Sequence, residues 1–185
     1  MDLTPTPSQT AGPFLHVGLT DTKSISCMAA DDVKGERVLL KIRLLDGDGL
    51  PVPDAMIELW QADAEGNYRD EATADKTFSG FGRLATSEDG SCAFETIRPG
   101  RVPGPGNTLQ APHINVSIFA RGLLKRLSTR VYFDGDSAND ADSVLALVPK
   151  QRRATLFAHP DPAREGGWTK EIRMRGEGET VFFDV

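Results

Sequence analysis

Residues 38–44, which read VLLKIRL, decide the fold class of this chain. Apolar side chains occupy every second position, and Lys41 and Arg43 lie between them. Because successive side chains of a strand point to opposite faces, this period of two predicts a β-strand with one buried and one solvated face. Such a strand is stable only when it pairs with others around a shared core, so further strands are expected elsewhere in the chain.

Seven further segments have strand-like composition and are separated by clusters of glycine, proline and aspartate. They are residues 56–62, 81–86, 92–97, 113–120, 127–133, 169–175 and 180–185. Short helices are expected only before Pro149, ending at Leu147, and near residues 151–156. About eight short strands are typical of a β-sandwich or barrel. We therefore expect an all-β fold, a single β-sandwich with long loops and a few short peripheral helices, in one domain spanning residues 1–185.

The composition excludes several classes of protein. Of the 185 residues, 39% are hydrophobic, which is too rich for a disordered chain. A formal net charge of −6 argues against nucleic acid or an anionic membrane as a partner. No apolar run approaches a membrane span, and the N-terminus does not have the pattern of a secretory signal. The two cysteines, Cys27 and Cys92, are too few for a disulfide scaffold, so we expect reduced thiols in a cytoplasmic protein.

Few residues of this chain have obvious catalytic potential. There are three histidines and two tyrosines, and the common metalloprotease, P-loop and serine-hydrolase motifs are missing. His113 follows the long irregular loop 99–112 and begins a predicted strand. Period two places His113, Asn115 and Ser117 on one face of that strand. This polar row either lines a cleft or forms the solvated face of an antiparallel sheet.

The most specific signal is a set of six segments in a fixed order along the chain. They are residues 6–13 (TPSQTAGP), 58–68 (ELWQADAEGNY), 80–83 (GFGR), 111–122 (APHINVSIFARG), 127–134 and 176–184 (GEGETVFFD). Together they resemble the intradiol ring-cleavage dioxygenases, and the resemblance extends from residue 6 to the end of the sequence. It implies a β-sandwich that cleaves a small aromatic substrate with O₂ at a non-haem Fe(III).

The resemblance also implies four iron-ligand positions, two tyrosines and two histidines in the catalytic chains of the family. Here these positions hold Tyr68, Val102, His113 and Asn115. Valine has no donor atom, an amide oxygen is a weaker donor than imidazole, and Fe(III) is stabilised by anionic phenolates. Tyr132 matches a position that is not a ligand. We therefore expect neither a metal ion nor a catalytic residue on this chain, with Tyr68 and His113 as vestigial ligands.

The resemblance further implies that this chain is the α chain of a two-chain member of the family. In such enzymes the Fe(III) is bound by the partner β chain, close to the interface, and α–β pairs form a higher-order hetero-oligomer. Residues 1–20 would form an arm toward the partner. Thr10, Gly12, Pro13 and Arg121 would line the substrate pocket, and a surface ion pair is the alternative for Arg121.

Two rival hypotheses remain open from the sequence. The chain could be an independent iron enzyme with replacement ligands, although it offers no spare tyrosine. It could also be a non-enzymatic sandwich that binds a protein or a sugar, if the likeness is one of fold alone.

Overall fold

Ten β-strands provide most of the regular structure in the computed structural model, which describes residues 10–21 and 23–184. They are β1 (Arg37–Leu45), β2 (Met56–Trp60), β3 (Phe81–Ala85), β4 (Ser91–Ile97), β5 (Val102–Pro103), β6 (Leu109–Gln110), β7 (His113–Phe119), β8 (Leu127–Phe133), β9 (Phe157–Pro160) and β10 (Gly167–Arg173). Seven of the eight predicted strands are present, each with ends within two residues of the prediction. β5, β6 and β9 were not predicted.

Helical segments at residues 13–20 and 105–107 were not expected from the sequence, but the helical segments are short, as predicted. They are α1 (Pro13–Leu15), which continues as the π-helical segment His16–Thr20, the 3₁₀ segments Pro105–Asn107, Ser137–Ala141 and Lys150–Leu156, and α2 (Ser143–Leu147). Within the residues that the structure describes, no helix has the length and apolar character needed to cross a membrane.

Eight of the strands form one nearly closed sheet in the order β3-β2-β7-β8-β9-β10-β1-β4, and β5 pairs with β6 as a separate hairpin. The pairs β1–β10 and β8–β9 are parallel, and the other pairs are antiparallel. The two terminal strands, β3 and β4, approach each other across the core. A Cβ atom at Gly82 of β3 would lie 2.8 Å from the ring of Phe94 in β4. The sheet therefore folds back on itself around one interior, which confirms the all-β, sandwich-like class.

The core lies inside this folded sheet. Leu40, Ile42 and Leu44 of β1 are completely buried, whereas Lys41 and Arg43 are exposed, as the period of two predicts. β7 follows the same rule, because its three apolar side chains at 114, 116 and 118 are also completely buried in the same cluster. The alternating polar row of β7 consequently lies on the outer face of the sheet.

The predicted strand at residues 180–185 is wrong for the part that the structure describes, 180–184. Its backbone bonds both to side-chain hydroxyls and to isolated backbone carbonyls of two different strands. Thr129 Oγ1 donates to the Val181 carbonyl at 2.7 Å, and the Val181 N–H donates to Thr155 Oγ1 at 3.2 Å. Two backbone bonds reach strands, one from the Thr180 N–H to the Arg173 carbonyl at the end of β10 and one from the Phe183 N–H to the Ser128 carbonyl of β8. Isolated bonds to hydroxyls and to two different strands thus replace a regular ladder here.

The loop 99–112, predicted to be irregular, contains the β5–β6 hairpin. Its first residues pack tightly against the turn that precedes Tyr68, since the Gly100 N–H donates to the Asp63 carbonyl at 2.8 Å. Gly66 in that turn has a φ of +89°, and a Cβ atom there would lie 2.0 Å from the Arg101 carbonyl oxygen. Only glycine satisfies both constraints. This close packing fixes the loop next to the segment that carries Tyr68.

Candidate functional site

The sequence-predicted site residues form two clusters, one at each end of β7. His113 begins the strand, and Arg121 lies just beyond its last residue, Phe119. At about 3.3 Å per residue, the ends of this strand are roughly 20 Å apart. The two clusters are therefore separate sites, and they differ in burial and in charge.

At the start of β7, two of the four ligand positions lie close together. The phenolic oxygen of Tyr68 is 3.5 Å from Asn115 Nδ2, and the Asn115 amide also donates to the Trp60 carbonyl at 3.3 Å. The Tyr68 ring stacks on Trp60 with 6.0 Å between centroids and 9° between planes. Tyr68 is thus held by aromatic stacking and a long hydrogen bond to an amide.

His113 is buried and neutral in this cluster. Its Nδ1–H donates to the Ala111 carbonyl at 2.8 Å, so in the neutral ring Nε2 carries the lone pair, and Nε2 has no hydrogen-bond partner among the described residues. Burial, followed by the nearby positive charge of Arg130, lowers the pKa of His113 to about 4. The imidazole is therefore uncharged at neutral pH.

The groups around His113 are those of a structural network. Arg130 donates from one guanidinium nitrogen to Gln110 Oε1 at 2.7 Å and to the Tyr132 hydroxyl at 3.3 Å. Tyr132 is completely buried, and burial raises its pKa to about 12, so it stays protonated. Its hydroxyl donates to Asp142 at 3.3 Å. Sequence reasoning missed this network because no local motif links residues from four separate segments.

These residues do not fit an Fe(III) ion. Val102, at the position of the second tyrosine, is buried and offers no donor, and Arg130 places a positive charge beside His113. Fe(III) requires anionic oxygen donors, and among the four ligand positions only Tyr68 offers one. Within residues 10–21 and 23–184, no group of three or more histidine, cysteine or acidic side chains is arranged to hold a metal ion.

At the far end of β7, the arm and the strand end meet. Thr10 Oγ1 accepts a hydrogen bond of 2.9 Å from the Gly122 N–H, which fixes the arm to the β7–β8 connection. Gly12, Pro13 and Arg121 line a cleft of about 420 Å³. The structure thus brings together all four residues that the resemblance assigns to a pocket wall. The arm's first nine residues lie outside the described part of the chain.

The lining of this cleft also includes Ala11 and three titratable residues, His16, Asp21 and Asp54. Asp54 contacts both His16 and Arg121: one carboxylate oxygen is 3.2 Å from His16 Nε2 and the other is 3.7 Å from the guanidinium. Arg121 is exposed, with 73% of its side chain accessible. No local pattern distinguishes Asp54, because an aspartate after a proline is typical of an ordinary turn.

A second pocket of about 360 Å³ also lies against the arm. It shares Ala11 and Gly12 with the cleft, and Phe119, Leu123 and Lys125 are also among its lining residues. The arm therefore contributes to both the cleft and this pocket, and of the two linings only that of the cleft includes acidic side chains.

Comparison with known proteins identifies the family. Residues 10–176 match the sequence model of a family described as dioxygenase. The chain belongs to the intradiol dioxygenase family. It is 43% identical to the protocatechuate 3,4-dioxygenase alpha chain of Pseudomonas putida, over 97% of this chain and 96% of that one. It is 34% identical to the protocatechuate 3,4-dioxygenase beta chain of Burkholderia cepacia, over 79% of this chain and 67% of that one.

The solved structures agree with this assignment. The dioxygenase domain of a carbohydrate-binding fusion protein from Streptomyces sp. SirexAA-E superposes with a TM-score of 0.65 at 26% identity, covering 94% of this chain and 99% of that one. The relatives are ring-cleaving oxidoreductases, and the family depends in general on non-haem iron. The relatives' names describe enzymes that have both an alpha and a beta chain.

Proposed function

We propose that this chain is the α subunit of a protocatechuate 3,4-dioxygenase. In this proposal it pairs with a catalytic β chain that binds the Fe(III), and several α–β pairs form the enzyme. The complex cleaves protocatechuate with O₂ between the two hydroxylated carbons and yields carboxy-cis,cis-muconate. The chain acts as one domain, residues 1–185, and its two free thiols suit a cytoplasmic location.

The observation that carries the proposal is the contrast between full-length similarity to an α chain and a donor-poor ligand site. Of the four ligand positions, only Tyr68 and His113 keep their residue type. His113 donates to a backbone carbonyl, and Tyr68 lies against the Asn115 amide. Iron in the complex is therefore assigned to the partner.

The Arg121 end supports a pocket-wall role. A guanidinium binds a carboxylate through charge-assisted, often bidentate hydrogen bonds, and protocatechuate carries one carboxylate. Gly12 and Pro13 beside it present a backbone of low ordering entropy that can approach a ligand closely. We infer that Thr10 holds this arm on the strand end through Gly122, so that the arm helps exclude water from the partner's active site.

Reconstitution tests the assignment of iron. The isolated chain should contain far less than one iron per chain and should show no ring cleavage. Co-expression with its β chain should give a complex whose iron stays with the β chain after dissociation. Tightly held, stoichiometric iron with a tyrosinate charge-transfer colour in the isolated chain would identify an independent enzyme. If the chain does not bind the β chain at all, it would instead be a binding module.

A single substitution tests the pocket wall. In the assembled complex, Arg121→Ala should lower kcat/KM for protocatechuate about ten- to a hundredfold, as expected for the loss of one charge-assisted contact. Arg121→Lys should recover part of the loss, because it keeps the charge without the planar fork. Size exclusion and iron content serve as controls for assembly. Wild-type kinetics in an intact Arg121→Ala complex would reduce Arg121 to a surface ion pair.

A further inference from the structure

Asp54 lies in the cleft between the arm and the end of β7, and it contacts a residue from each. His16 belongs to the arm's helical segment, and Arg121 follows β7. The Asp54 carboxylate is half-exposed, with 51% of its side chain accessible, and reaches the two residues with different oxygens. It is thus the acidic group that faces the proposed substrate-binding arginine.

The backbone of Asp54 fixes the place of this carboxylate. Asp54 has a φ of +68°, in the left-handed region that asparagine and aspartate tolerate better than other side chains. Its N–H donates to the Thr86 carbonyl at 3.2 Å, which connects the turn to the residue after β3. The sheet therefore holds Asp54 opposite the arm.

The two contacts of Asp54 differ in strength. His16 Nε2 lies 3.2 Å from the carboxylate, and His16 Nδ1 lies 2.9 Å from Thr20 Oγ1, so the ring is held at both nitrogens. The guanidinium of Arg121 lies 3.7 Å from the carboxylate through one nitrogen, on a largely exposed side chain. An exposed pair of this length contributes little stability. The contact between Arg121 and Asp54 can therefore break without leaving the Asp54 carboxylate unpaired, because its contact with His16 remains.

We propose that Asp54 is a specificity-determining residue that occupies Arg121 in place of a ligand carboxylate. When an aromatic diol that carries a carboxylate binds, its carboxylate takes the place of the Asp54 carboxylate beside the Arg121 guanidinium. Asp54 then stays hydrogen-bonded to His16. A diol without a carboxylate leaves Arg121 paired with Asp54 and gains nothing from it. The inference rests on the proposed function. It adds that the Asp54 carboxylate competes with the substrate carboxylate for Arg121, which lowers the affinity for the carboxylated substrate and neutralises the Arg121 charge when no substrate is bound.

The test uses Asp54→Asn in the assembled α–β complex. Asparagine tolerates the left-handed backbone and keeps the shape of the side chain but removes its charge. KM for protocatechuate should fall about two- to fivefold, the range of an exposed ion pair, with kcat retained. KM for catechol, which has the same ring without a carboxylate, should not change. A rise in KM for protocatechuate, or an equal fall for both diols, would overturn the proposal.

A double-mutant cycle shows whether Asp54 acts through Arg121. In an Arg121→Ala background the effect of Asp54→Asn should vanish, because no guanidinium remains to be released. Asp21→Asn makes the same change in net charge in the same cleft and should have the smaller effect. Equal effects of both substitutions, or an Asp54→Asn effect that persists without Arg121, would show that only the overall negative potential of the cleft matters. Either result would overturn the proposed exchange of carboxylates on Arg121.

The outcomes separate this inference from the proposed function. If Arg121→Ala alone leaves the kinetics of protocatechuate unchanged, the pocket-wall role fails and the exchange fails with it. If Arg121→Ala weakens catalysis while Asp54→Asn leaves KM unchanged, the pocket wall stands and only the role of Asp54 is overturned.

Discussion

The two ends of β7 carry the same three residue types in opposite environments. The buried set is His113, Arg130 and Asp142, and the open set is His16, Asp54 and Arg121. In the buried set, His113 and Asp142 are 3% and 1% exposed, and its polar groups mostly bond to protein. In the open set, the side chains of Arg121 and Asp54 are 73% and 51% accessible, and they line a cleft. Residue type alone therefore does not identify a binding site, since burial decides which groups remain available to a ligand.

The largest expected difference concerns the two carboxylates. Asp142 accepts hydrogen bonds from three backbone N–H groups, at residues 111, 144 and 145, and from the Tyr132 hydroxyl. Asp142→Ala would leave these donors buried without a partner and should lower the free energy of unfolding by about 3–5 kcal/mol. Asp54→Gly, which suits the left-handed backbone, should cost less than about 1 kcal/mol. Urea denaturation of both variants measures the difference, and equal losses would remove the distinction between the two ends.

A pH titration of stability sharpens the comparison at the buried end. Burial and then the positive charge of Arg130 hold the pKa of His113 at about 4, below the usual histidine value of 6.5. As the pH falls through this window, the unfolded chain binds a proton that the folded chain does not, so stability falls from about pH 6.5 to pH 4. The contribution is about 3 kcal/mol, at about 1.36 kcal/mol per pKa unit.

The measurement is urea denaturation at pH 7 and at pH 4.5, for the unmodified chain and for His113→Asn. The variant should lose less stability between these values, whatever its absolute stability. His159→Asn is the matched control, because His159 has 58% of its side chain exposed and contacts Asp134 at 3.1 Å. The same pH dependence in the His113→Asn variant and the unmodified chain would contradict a buried neutral imidazole.

The sequence predicted the parts of the fold that depend on local periodicity. The alternation in β1 and β7 is local, so the buried faces could be read directly. The prediction for segment 180–184 failed because its bonds are divided between the hydroxyls of Thr129 and Thr155 and single carbonyls of two different strands, an arrangement that no strand pattern encodes. β9 was missed because a four-residue strand has too few alternations for a period to be recognised.

The site was predictable only where the family resemblance supplied it. The cluster of Thr10, Gly12, Pro13 and Arg121 came from matched segments, and the structure brings these residues together. Asp54 and Arg130 were not found, because each acts through partners distant in sequence. Aspartates in turns and arginines in strands are common, and only three-dimensional contacts distinguish these two.

The smallest expected effect is on stability at the open end, where Arg121→Ala should change the free energy of unfolding of the isolated chain by less than about 0.5 kcal/mol. The reason is that its described ion pair, with Asp54 at 3.7 Å, is long and solvent-exposed. The same substitution should lower kcat/KM of the complex at least about tenfold, so its kinetic effect exceeds its effect on folding. A residue selected to hold the fold shows the reverse, as Asp142 should. Thermal denaturation of the isolated chain, beside kinetics of the complex, compares the two quantities. A loss of stability as large as that of Asp142→Ala would mean that Arg121 holds the arm in place, and the kinetic loss would then reflect a displaced arm instead of a missing contact.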